Sequence, residues 1–512
     1  MTDSRPSYEE SYWMATADTT GYPTLGDDTE ADVVVVGGGI AGLSAAWELV
    51  KAGHSVALLE ADRVAAGVSG YTTAKVSSLH TLVYDRIRRI RNEADAELYA
   101  CSQQGAVEHV AEIVDELDIA CDLERVPAYT YTTDPAAVPS LQAEARAAAS
   151  AGLPATYVTD SELPFEISGA VRVEEQAQFH PREYLLALAE DIGRSGGRIF
   201  EGTRVTGLAE GSPCRVTTES GHSVAARDVV VATHYPVFDR ALLFARLAPR
   251  RELVVAAPLD ADRAPAGMYI TQGEGKRSIR SAPLDDGRRL LIVTGESFTP
   301  GAGEDVGERF RRLDAWMHER FPVGATAYRW AAQDADSADG VPFVGLLHPG
   351  ARHSYVATGF GGWGMSGGVM AGSLLARLIG DETPPWADLY DPRRLWSTVR
   401  EAATVLRQQG DVAQHFIGGR LRTRHVASVA DIEPGTGAVV RVDGRRCAVH
   451  RSADGSVQAV SARCTHLGCL VAFNEAETTW ECPCHGSRFD VDGSVLQGPA
   501  VHPLAPVDRA DD

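Results

Sequence analysis

DVVVVGGGIAGLSAAWELVKAGHSVALLEADR, residues 32–63, joins an apolar run, a glycine turn, an amphipathic stretch and a second apolar run. This order predicts a strand, a helix and a second strand, the βαβ unit. Gly37, Gly39 and Gly42 fit G-x-G-x-x-G after the first strand, where they allow a tight turn, close approach of a pyrophosphate and close helix packing. The helix N-terminus favours the pyrophosphate, and Glu60 closes the second strand, where it can bind a ribose diol. The stretch therefore predicts a dinucleotide site.

Length and composition indicate a globular protein of several domains. The 512 residues suggest roughly 2–4 domains, and 44% hydrophobic with 23% charged residues is ordinary for such proteins. The formal net charge of -22 argues against nucleic acid or an anionic membrane as the main partner, because both favour a basic face. Residues 1–13 show no secretory signal, and the apolar stretch 33–50 contains four glycines and Glu48, so we expect no membrane span. We expect a cytoplasmic location, with the polar residues 1–30 lying along the surface.

A second glycine turn, GFGGWG at 359–364, also follows an apolar strand. Gly359, Gly361 and Gly364 fit G-x-G-x-x-G, which by itself predicts a second site, for NAD(P)H. Such a site needs an acidic residue that closes a following strand. Here the helix after the turn leads into Asp381 within a proline-rich break, which argues against this interpretation.

Further segments resemble the flavoproteins related to D-amino-acid oxidase and sarcosine oxidase, over roughly residues 31–380. The matching positions follow the family's order along the chain: Gly67, Ser69 and Gly70 in the loop after the ribose acid, Val205 at the adenine, Thr233 at the end of the strand under the cofactor, and Asp339 with Pro342–Gly345 before the flavin ring. The resemblance implies FAD as the cofactor.

The same resemblance gives the second glycine turn another role. It implies that the turn passes under the flavin ring, with Gly361, Gly362, Trp363 and Met365 next to it. The helix that begins near Met365 would then point its N-terminus at the ring edge where a reduced flavin carries negative charge.

Candidates for substrate chemistry come from two segments. YTTAKVSSLH, residues 71–80, places Lys75, Ser77 and His80 just after the cofactor loop. Arg280 lies on a predicted strand, where it could hold a substrate carboxylate, or it could be a structural arginine. His180 could approach the ring, or it could cap or pack a helix.

Near the C-terminus, CTHLGC at 464–469 and CPCHGS at 482–487 offer six cysteine and histidine positions, more than the four that a closed zinc site uses. Their C-x-H and C-x-x-H pairs match a Rieske [2Fe–2S] centre, in which two thiolates hold one iron and two imidazoles hold the other. The match implies the following ligands: Cys464 and Cys482 for the first iron, His466 and His485 for the second.

The segment at about 425–508 is similar to the Rieske proteins of cytochrome bc-type complexes. That resemblance implies a disulfide between Cys469 and Cys484, and a hydrogen bond from Ser487 to a bridging sulfide. Those proteins usually carry a tyrosine two residues later, and here the residue is Phe489. Because fewer hydrogen bonds to sulfur stabilise the reduced cluster less, we expect a potential below the usual bc-type value, within about −150 to +300 mV.

The fold class is therefore predicted as α/β plus all-β, with a Rossmann-like FAD-binding domain, an interleaved α+β substrate domain and a small antiparallel-β Rieske domain. The predicted boundaries are 1–30 for an N-terminal extension, 31–85, 165–240 and 335–380 for the FAD-binding domain, 86–164 and 241–334 for the substrate or cap domain, 381–424 for a helical connector, and 425–512 for the Rieske domain.

The two resemblances together imply a FAD-dependent oxidoreductase that takes hydride from an amine- or amino-acid-like substrate. Electrons would pass through the [2Fe–2S] cluster to an external acceptor, with a one-electron acceptor or donor protein as a possible partner. Two alternatives stay open: an NAD(P)H-dependent ferredoxin-type reductase, and a redox sensor or electron carrier without turnover. Flavin bleaching by NADPH would favour the first, and the absence of a substrate-sized cavity beside the flavin would favour the second.

Overall fold

The computed structural model describes residues 10–238, 240, 243–272, 275–302, 305–394, 429–442 and 444–507. The helices within these ranges are α1 (Tyr12–Thr16), α2 (Ile40–Lys51), α3 (Val83–Ile90), α4 (Glu93–Leu117), α5 (Val138–Ser150), α6 (Pro181–Arg194), α7 (Val306–Arg320), α8 (Gly364–Ile379) and α9 (Ala387–Tyr390). The strands are β1 (Thr29–Val36), β2 (Val56–Leu59), β3 (Lys75–Val76), β4 (Glu124–Thr132), β5 (Ala155–Val158), β6 (Gly169–Gln178), β7 (Arg198–Phe200), β8 (Val205–Ala209), β9 (Cys214–Thr218), β10 (Ser223–Val231), β11 (Leu247–Leu259), β12 (Met268–Thr271), β13 (Arg277–Pro283), β14 (Arg289–Phe298), β15 (Tyr328–Ser337), β16 (Phe343–Leu346), β17 (Ser354–Thr358), β18 (Thr436–Val442), β19 (Arg445–Arg451), β20 (Val457–Ser461), β21 (Ala472–Asn474), β22 (Thr479–Glu481), β23 (Arg488–Phe489) and β24 (Val495–Gln497).

The first sheet carries the glycine turn. Its main path runs β16-β17-β10-β1-β2-β7, with β1, β2, β7, β10 and β17 parallel and β16 antiparallel at one edge. The four valines that end β1 are buried, as expected for a central parallel strand covered on both faces. Helix α2 packs on α8, so the helices that follow the two glycine turns lie side by side.

The second sheet has the order β15-β11-β14-β13-β12-β4-β6-β3, with β5 paired to β6. It is largely antiparallel, and α7 packs on β11 and β14. The predicted boundary placed 165–240 with the FAD-binding part, but β6 forms a long antiparallel ladder with β4. Residues 169–178 therefore belong to the second sheet, because their hydrogen bonds to β4 place them there.

Ser11, Tyr12 and Trp13 are buried, which corrects the expectation of a surface position for these three residues. Most of residues 14–30 are exposed or partly exposed, and residues 1–9 lie outside the described ranges. Trp13 is 1% exposed and donates from its indole nitrogen to the Thr72 carbonyl over 2.7 Å. Ser11 is also buried and donates to the Gly70 carbonyl. Two aromatic residues in an otherwise polar segment supply this burial, and they fasten it to the loop after β2.

The C-terminal domain consists of two small antiparallel sheets, β18-β19-β20 and β21-β22-β23-β24. Its core includes the cysteines of both cluster loops together with Trp480 and Phe489. Of the predicted connector 381–424, the structure describes only the part up to residue 394, and residues 395–424 lie outside the described ranges. Across those ranges, no helix combines the length and the apolar character needed to cross a membrane.

Candidate functional site

The first glycine turn leaves no room for side chains. Gly37 has a φ of +107°, and a Cβ there would lie 2.4 Å from the Ala232 carbonyl oxygen. A Cβ on Gly42 would lie 1.9 Å from the Gly37 carbonyl oxygen. These approaches hold the start of α2 close to β1 and β10, which leaves backbone N–H groups at the helix start available to a pyrophosphate.

The side chains of Glu60 and Ser69 accept hydrogen bonds from backbone amides of the glycine turn and of the start of α2. The Glu60 carboxylate accepts from the Gly38 amide over 2.6 Å and from the Asp62 amide over 2.9 Å. Burial raises the pKa of this carboxyl group. The Ser69 hydroxyl accepts from the Ile40 amide over 3.0 Å, which fixes the following loop against the first residue of α2.

A cavity of about 1330 Å³ opens from this turn. Most of the predicted FAD residues line it, namely Gly37, Gly39, Glu60, Gly67, Ser69, Val205, Thr233, Gly362 and Met365. Known ligand pockets usually measure about 300–1,000 Å³, so this cavity has room for a dinucleotide and a further small molecule. The glycine cradle and the cavity together fit FAD.

Asp339 does not line this cavity, which corrects its predicted contact with the cofactor. Its carboxylate lies 2.8 Å from Arg394 and 3.1 Å from Arg91. Burial alone would raise the pKa of Asp339, but Arg394 lowers it to about 2. Both carboxylate oxygens thus accept hydrogen bonds. Asp339 connects the segment before β16 to Arg394, the last described residue before the gap at 395–428.

The predicted ring turn is supported by His80. The ring of Trp363 stacks on that of His80 with centroids 4.5 Å apart, and His80 Nε2 lies 3.2 Å from the Ser366 hydroxyl in α8. Burial lowers the pKa of His80 to about 3, so the imidazole is neutral. His80 therefore positions the turn, and the Gly361 amide extends the support by donating to the Ala335 carbonyl over 3.2 Å.

Arg280 is structural, which corrects its predicted role in binding a substrate carboxylate. The side chain is 1% exposed, and its guanidinium donates to backbone carbonyls of Thr73, Ala74, Phe179 and Ser281. It does not line the cavity. Its donors hold β13 against the loop after the first βαβ unit.

Lys75 lies beside a separate void of about 10 Å³, which it shares with Tyr129, Tyr269, Ser77 and Trp363. Its ammonium donates to the Thr73 hydroxyl over 2.7 Å. Burial, with Arg280 as a smaller cause, lowers the pKa of Lys75 to about 7. Lys75 thus adjoins the predicted ring turn without lining the large cavity, and its chemical role stays a prediction.

His180 caps and packs a helix, as one of its two interpretations anticipated. Its Nδ1 accepts from the Glu183 amide over 3.3 Å at the start of α6, and its ring packs against Tyr12 and Trp13. Burial lowers the pKa of His180 to about 4.

A polar pair that the sequence analysis missed lines the cavity directly after Thr233. His234 Nε2 lies 3.3 Å from Asp334 Oδ1, and Asp334 also accepts from the Gly362 amide of the ring turn. His234 has a φ of +64°, uncommon for a residue with a side chain. The pair spans 100 residues of sequence, so no local pattern could have joined it.

The two cluster loops bring the four predicted ligands together. Cys464 and Cys482 are buried free thiols, and the rings of His466 and His485 have centroids 4.9 Å apart. Burial lowers the pKa of His466 to about 4 and that of His485 to about 3, so both imidazoles are neutral, as metal ligation requires. Both ring nitrogens of His485 are buried without a hydrogen-bond partner among the described residues. This donor set fits a [2Fe–2S] cluster.

The predicted disulfide between Cys469 and Cys484 is present. The sulfur atoms of Cys469, Cys482 and Cys484 lie within 4.8 Å of one another, but two of them form the disulfide and cannot act as thiolate ligands. Ser487 is fully buried, contacts the Cys464 sulfur, and accepts from the Ala500 amide over 3.0 Å. The hydroxyl therefore lies where it can tune the cluster.

Replacing Phe489 by tyrosine is expected to raise the reduction potential of the cluster. Phe489 is fully buried in the core that holds Cys464 and Cys482, and a hydroxyl bonded to sulfur would stabilise the reduced state. Voltammetry of the full-length holoprotein measures the shift. Phe473→Tyr, which adds the same hydroxyl on β21, serves as the control, and a potential that moves equally in both variants would contradict the assignment.

The cluster loop that carries His485 lies next to the segments that border the flavin cavity. The His485 ring contacts Tyr235 and Phe244 edge to face, with centroids 6.0 and 5.7 Å away. The Gly486 carbonyl accepts from the side-chain Nε2 of Gln333 over 2.8 Å. Because Tyr235 lies two residues after Thr233, one short segment borders both the cavity and a cluster ligand.

Residues of the C-terminal domain also form part of the cavity wall, among them Glu477, Arg488, Asp490, Gln497 and Ala500. Beneath them lies a buried ionic network. Arg251 on β11 is 1% exposed and binds Glu477 and Glu481, the latter over 2.6 Å. The C-terminal domain is therefore docked on the second sheet by charges that both sides bury.

Comparison with known proteins finds a family match for each of two regions of the chain. The family described as FAD dependent oxidoreductase matches residues 32–378, and the Rieske [2Fe-2S] domain matches residues 423–508. The Bacillus subtilis protein YhfW, named as a Rieske 2Fe-2S iron-sulfur protein, is 35% identical over 500 residues, which is 98% of this chain and 97% of that protein. The cytochrome b6-f complex iron-sulfur subunit of Chlorobaculum tepidum is 42% identical over 79 residues, covering 15% of this chain and 43% of the subunit. The L-proline dehydrogenase of P. horikoshii shares the fold, with a TM-score of 0.60 at 19% identity over 73% of this chain and 99% of the dehydrogenase.

Proposed function

Because the chain belongs to the FAD-dependent oxidoreductase family and carries a C-terminal Rieske [2Fe–2S] domain, we propose that it oxidises an amine- or amino-acid-like small molecule. The electrons would leave through the [2Fe–2S] cluster to an external one-electron acceptor. The observation that carries this proposal is the shared boundary of the two sites: the ring of His485 lies against Tyr235 and Phe244, beside the cavity that begins at the glycine turn.

The residues that would hold FAD lie at one end of the cavity. Backbone amides at the start of α2 would bind the pyrophosphate, and Glu60 would bind the ribose. FAD, when bound, accepts hydride from a carbon next to nitrogen. His80 and Trp363 would hold the ring turn in place, and the buried N-terminus of α8 would favour negative charge at the ring.

The residues that would hold the cluster are Cys464, His466, Cys482 and His485. A Rieske cluster, when bound, carries one electron at a time. Tyr235 and Phe244 shield His485 from solvent and keep its domain next to the cavity, while Gln333 fixes the loop that carries it. These contacts would hold the cluster domain beside the cavity, which supports electron transfer without a domain movement.

The remaining cavity wall supports a small polar substrate. Arg250, Glu252, Thr294 and Arg329 line it from the second sheet, so charged groups of both signs face the space. Arg250 pairs with Glu252 and with Asp336, the latter over 3.0 Å. An amino acid or amine carries matching charges, and the dehydrogenase of the same fold is named for an amino acid. A substrate-sized cavity of this kind also supports an enzyme over a sensor without turnover.

The second glycine turn supports the flavin interpretation over an NAD(P)H site. Helix α8 ends at Ile379, and within the described part of the chain up to residue 394 it is followed by the short helix α9, not by a strand. A dinucleotide site would need a strand there that ends in an acidic residue. The cytoplasmic location stays a prediction.

Anaerobic mixing of the holoprotein with a panel of amines, amino acids, NADH and NADPH tests the proposed substrate class. Bleaching of the flavin absorbance by an amine or an amino acid, followed by the appearance of reduced-cluster signal in electron paramagnetic resonance spectra, is the expected result. Bleaching by NADPH alone would overturn the proposal in favour of a reductase.

Replacing His485 by alanine is expected to leave flavin reduction by substrate intact and to abolish electron transfer to a small haem protein. The reason is that the second iron loses a ligand while the glycine turn is untouched. Stopped-flow absorbance at flavin and haem wavelengths separates the two half-reactions. His450→Ala, which removes a buried histidine of β19 outside the cluster loops, is the matched control. Equal loss of both half-reactions in His485→Ala would contradict the proposed order of electron flow.

A further inference from the structure

The adenine end of the FAD site can be located by working outward from the ribose. Glu60 follows β2, where it would bind the ribose, and its backbone carbonyl accepts from the Thr203 amide over 2.8 Å. Thr203, Arg204 and Val205 therefore lie directly beside the ribose position, and all three line the cavity. Because the adenine of FAD is attached to this ribose, it would lie against the segment 203–205.

The C-terminal domain reaches the same segment through β24. The Arg204 guanidinium donates to the Val495 carbonyl over 3.1 Å, and the next residue, Leu496, lines the cavity. The Leu496 side chain is 49% exposed, the most exposed of the large apolar side chains among the described residues. A flat aromatic base that covers this side chain would remove apolar surface of both groups from water, which is favourable.

The loop that follows β24 is held in place from two sides. On the cluster side, the Ala500 amide donates to the Ser487 hydroxyl over 3.0 Å. On the flavin side, a Cβ on Gly498 would lie 3.6 Å from Val237 Cγ1, so the loop lies in van der Waals contact with the segment after Thr233. Val237, Gly498 and Ala500 all line the cavity. These contacts fix the wall before a ligand binds, which lowers the entropy cost of binding.

We propose that the C-terminal domain completes the FAD site, with Leu496 packed on the adenine opposite the segment 203–205. FAD then binds across two domains, and the domain that carries the cluster is also part of the flavin site. By linkage, bound FAD favours the docked position of the C-terminal domain by the same factor by which the docked domain favours FAD. This role goes beyond the proposed function, because it holds whatever substrate the protein oxidises.

The test measures affinity for FAD in the full-length protein, with the cluster in place and the flavin removed, by titration with FAD and by competition with ADP. Leu496→Glu is expected to weaken FAD binding at least about tenfold, because its carboxylate would lose water against the base. Leu496→Gln, which is uncharged, is expected to weaken it about threefold, through loss of apolar contact alone. The affinity for ADP should fall by the same factors, since ADP carries the same adenine.

Val457→Glu and Val457→Gln are the matched controls. They place the same side chains on β20 of the same domain, at a position that is 43% exposed and does not line the cavity. Spectra of the cluster confirm that each variant retains it, and Leu496→Gln stands in if Leu496→Glu does not.

Three results would overturn the proposal. Equal FAD affinity in the Leu496 and Val457 variants would show that the C-terminal domain does not contact the cofactor. A loss in Leu496→Glu without one in Leu496→Gln would indicate charge repulsion at a distance. A loss for FAD without one for ADP would place the contact away from the adenine. Failure to oxidise any amine would leave these affinities unchanged and would concern only the proposed substrate.

Discussion

Arg251→Met is expected to release the C-terminal domain from the second sheet and to lower the stability of the docked protein by about 3–5 kcal/mol. Arg251 binds two carboxylates in a buried position, over 2.6 Å to Glu481 and over 2.7 Å to Glu477. It also holds the pKa of Glu477 below its usual value, against the effect of burial. Methionine fills similar space but leaves the two carboxylates with Arg488 as the one arginine of the described residues that still pairs with them.

The loss should reach electron transfer as well as stability, because the same docking keeps His485 against Tyr235 and Phe244. Urea denaturation followed separately by flavin fluorescence and cluster absorbance measures the first effect, and stopped-flow reduction of the cluster by the flavin measures the second. We expect the cluster domain to respond at lower urea and flavin-to-cluster transfer to slow.

Arg288→Met is the matched control for this experiment. Arg288 is exposed and pairs only locally, with Asp286 two residues away, so its removal should cost at most about 1 kcal/mol. Combining Arg251→Met with Glu477→Gln should restore part of the lost stability, because Arg488, 3.4 Å from Glu481, then balances the one carboxylate that remains. An effect of Arg251→Met no larger than that of Arg288→Met would show that the network does not hold the domain.

Gly42→Ala is expected to weaken FAD binding at least about 100-fold, or about 2.7 kcal/mol. The added Cβ would lie 1.9 Å from the Gly37 carbonyl oxygen and 3.1 Å from its carbon, both of them backbone atoms that cannot rotate away. The start of α2 must therefore move off β1, and the amides that face the pyrophosphate move with it. Flavin content after purification and titration of the apoprotein with FAD measure the loss.

Gly105→Ala gives the matched control, since Gly105 also lies in a helix, α4, but nothing lies within 4 Å of its added Cβ. That change should leave FAD affinity unaltered and raise helix stability by up to about 1 kcal/mol. Normal FAD affinity in Gly42→Ala would contradict the close approach of the two backbone segments.

Sequence patterns identified the family, FAD and the [2Fe–2S] cluster, and the comparisons confirm all three. They could do so because each signal occupies neighbouring positions. The spacing of Gly37, Gly39 and Gly42 governs one turn of backbone, and C-x-H with C-x-x-H places two ligands on each of two short loops. Chemistry that depends on neighbouring residues can be predicted from their spacing in the sequence.

Sequence patterns did not predict the roles of residues whose partners lie far along the chain. Arg280 fitted a substrate arginine by its strand position, yet the carbonyls that bind it lie as far as 207 residues away. Asp339 matched a family motif, but Arg91, one of its partners, is 248 residues away. His234 and Asp334 form a cavity pair that no spacing suggested.

By itself the sequence determined that the chain has a dinucleotide turn and a four-ligand cluster site, because each depends on local backbone geometry and ligand chemistry. Only the tertiary structure decided that the C-terminal domain forms part of the cavity wall and that His485 is buried against Tyr235 and Phe244 while His466 is partly exposed. That arrangement depends on Arg251 and Glu477, 226 residues apart, and on the ring contacts of His485. Such contacts are set by the packing of whole sheets against one another, since burying a charge is favourable only where folding brings its partner into place.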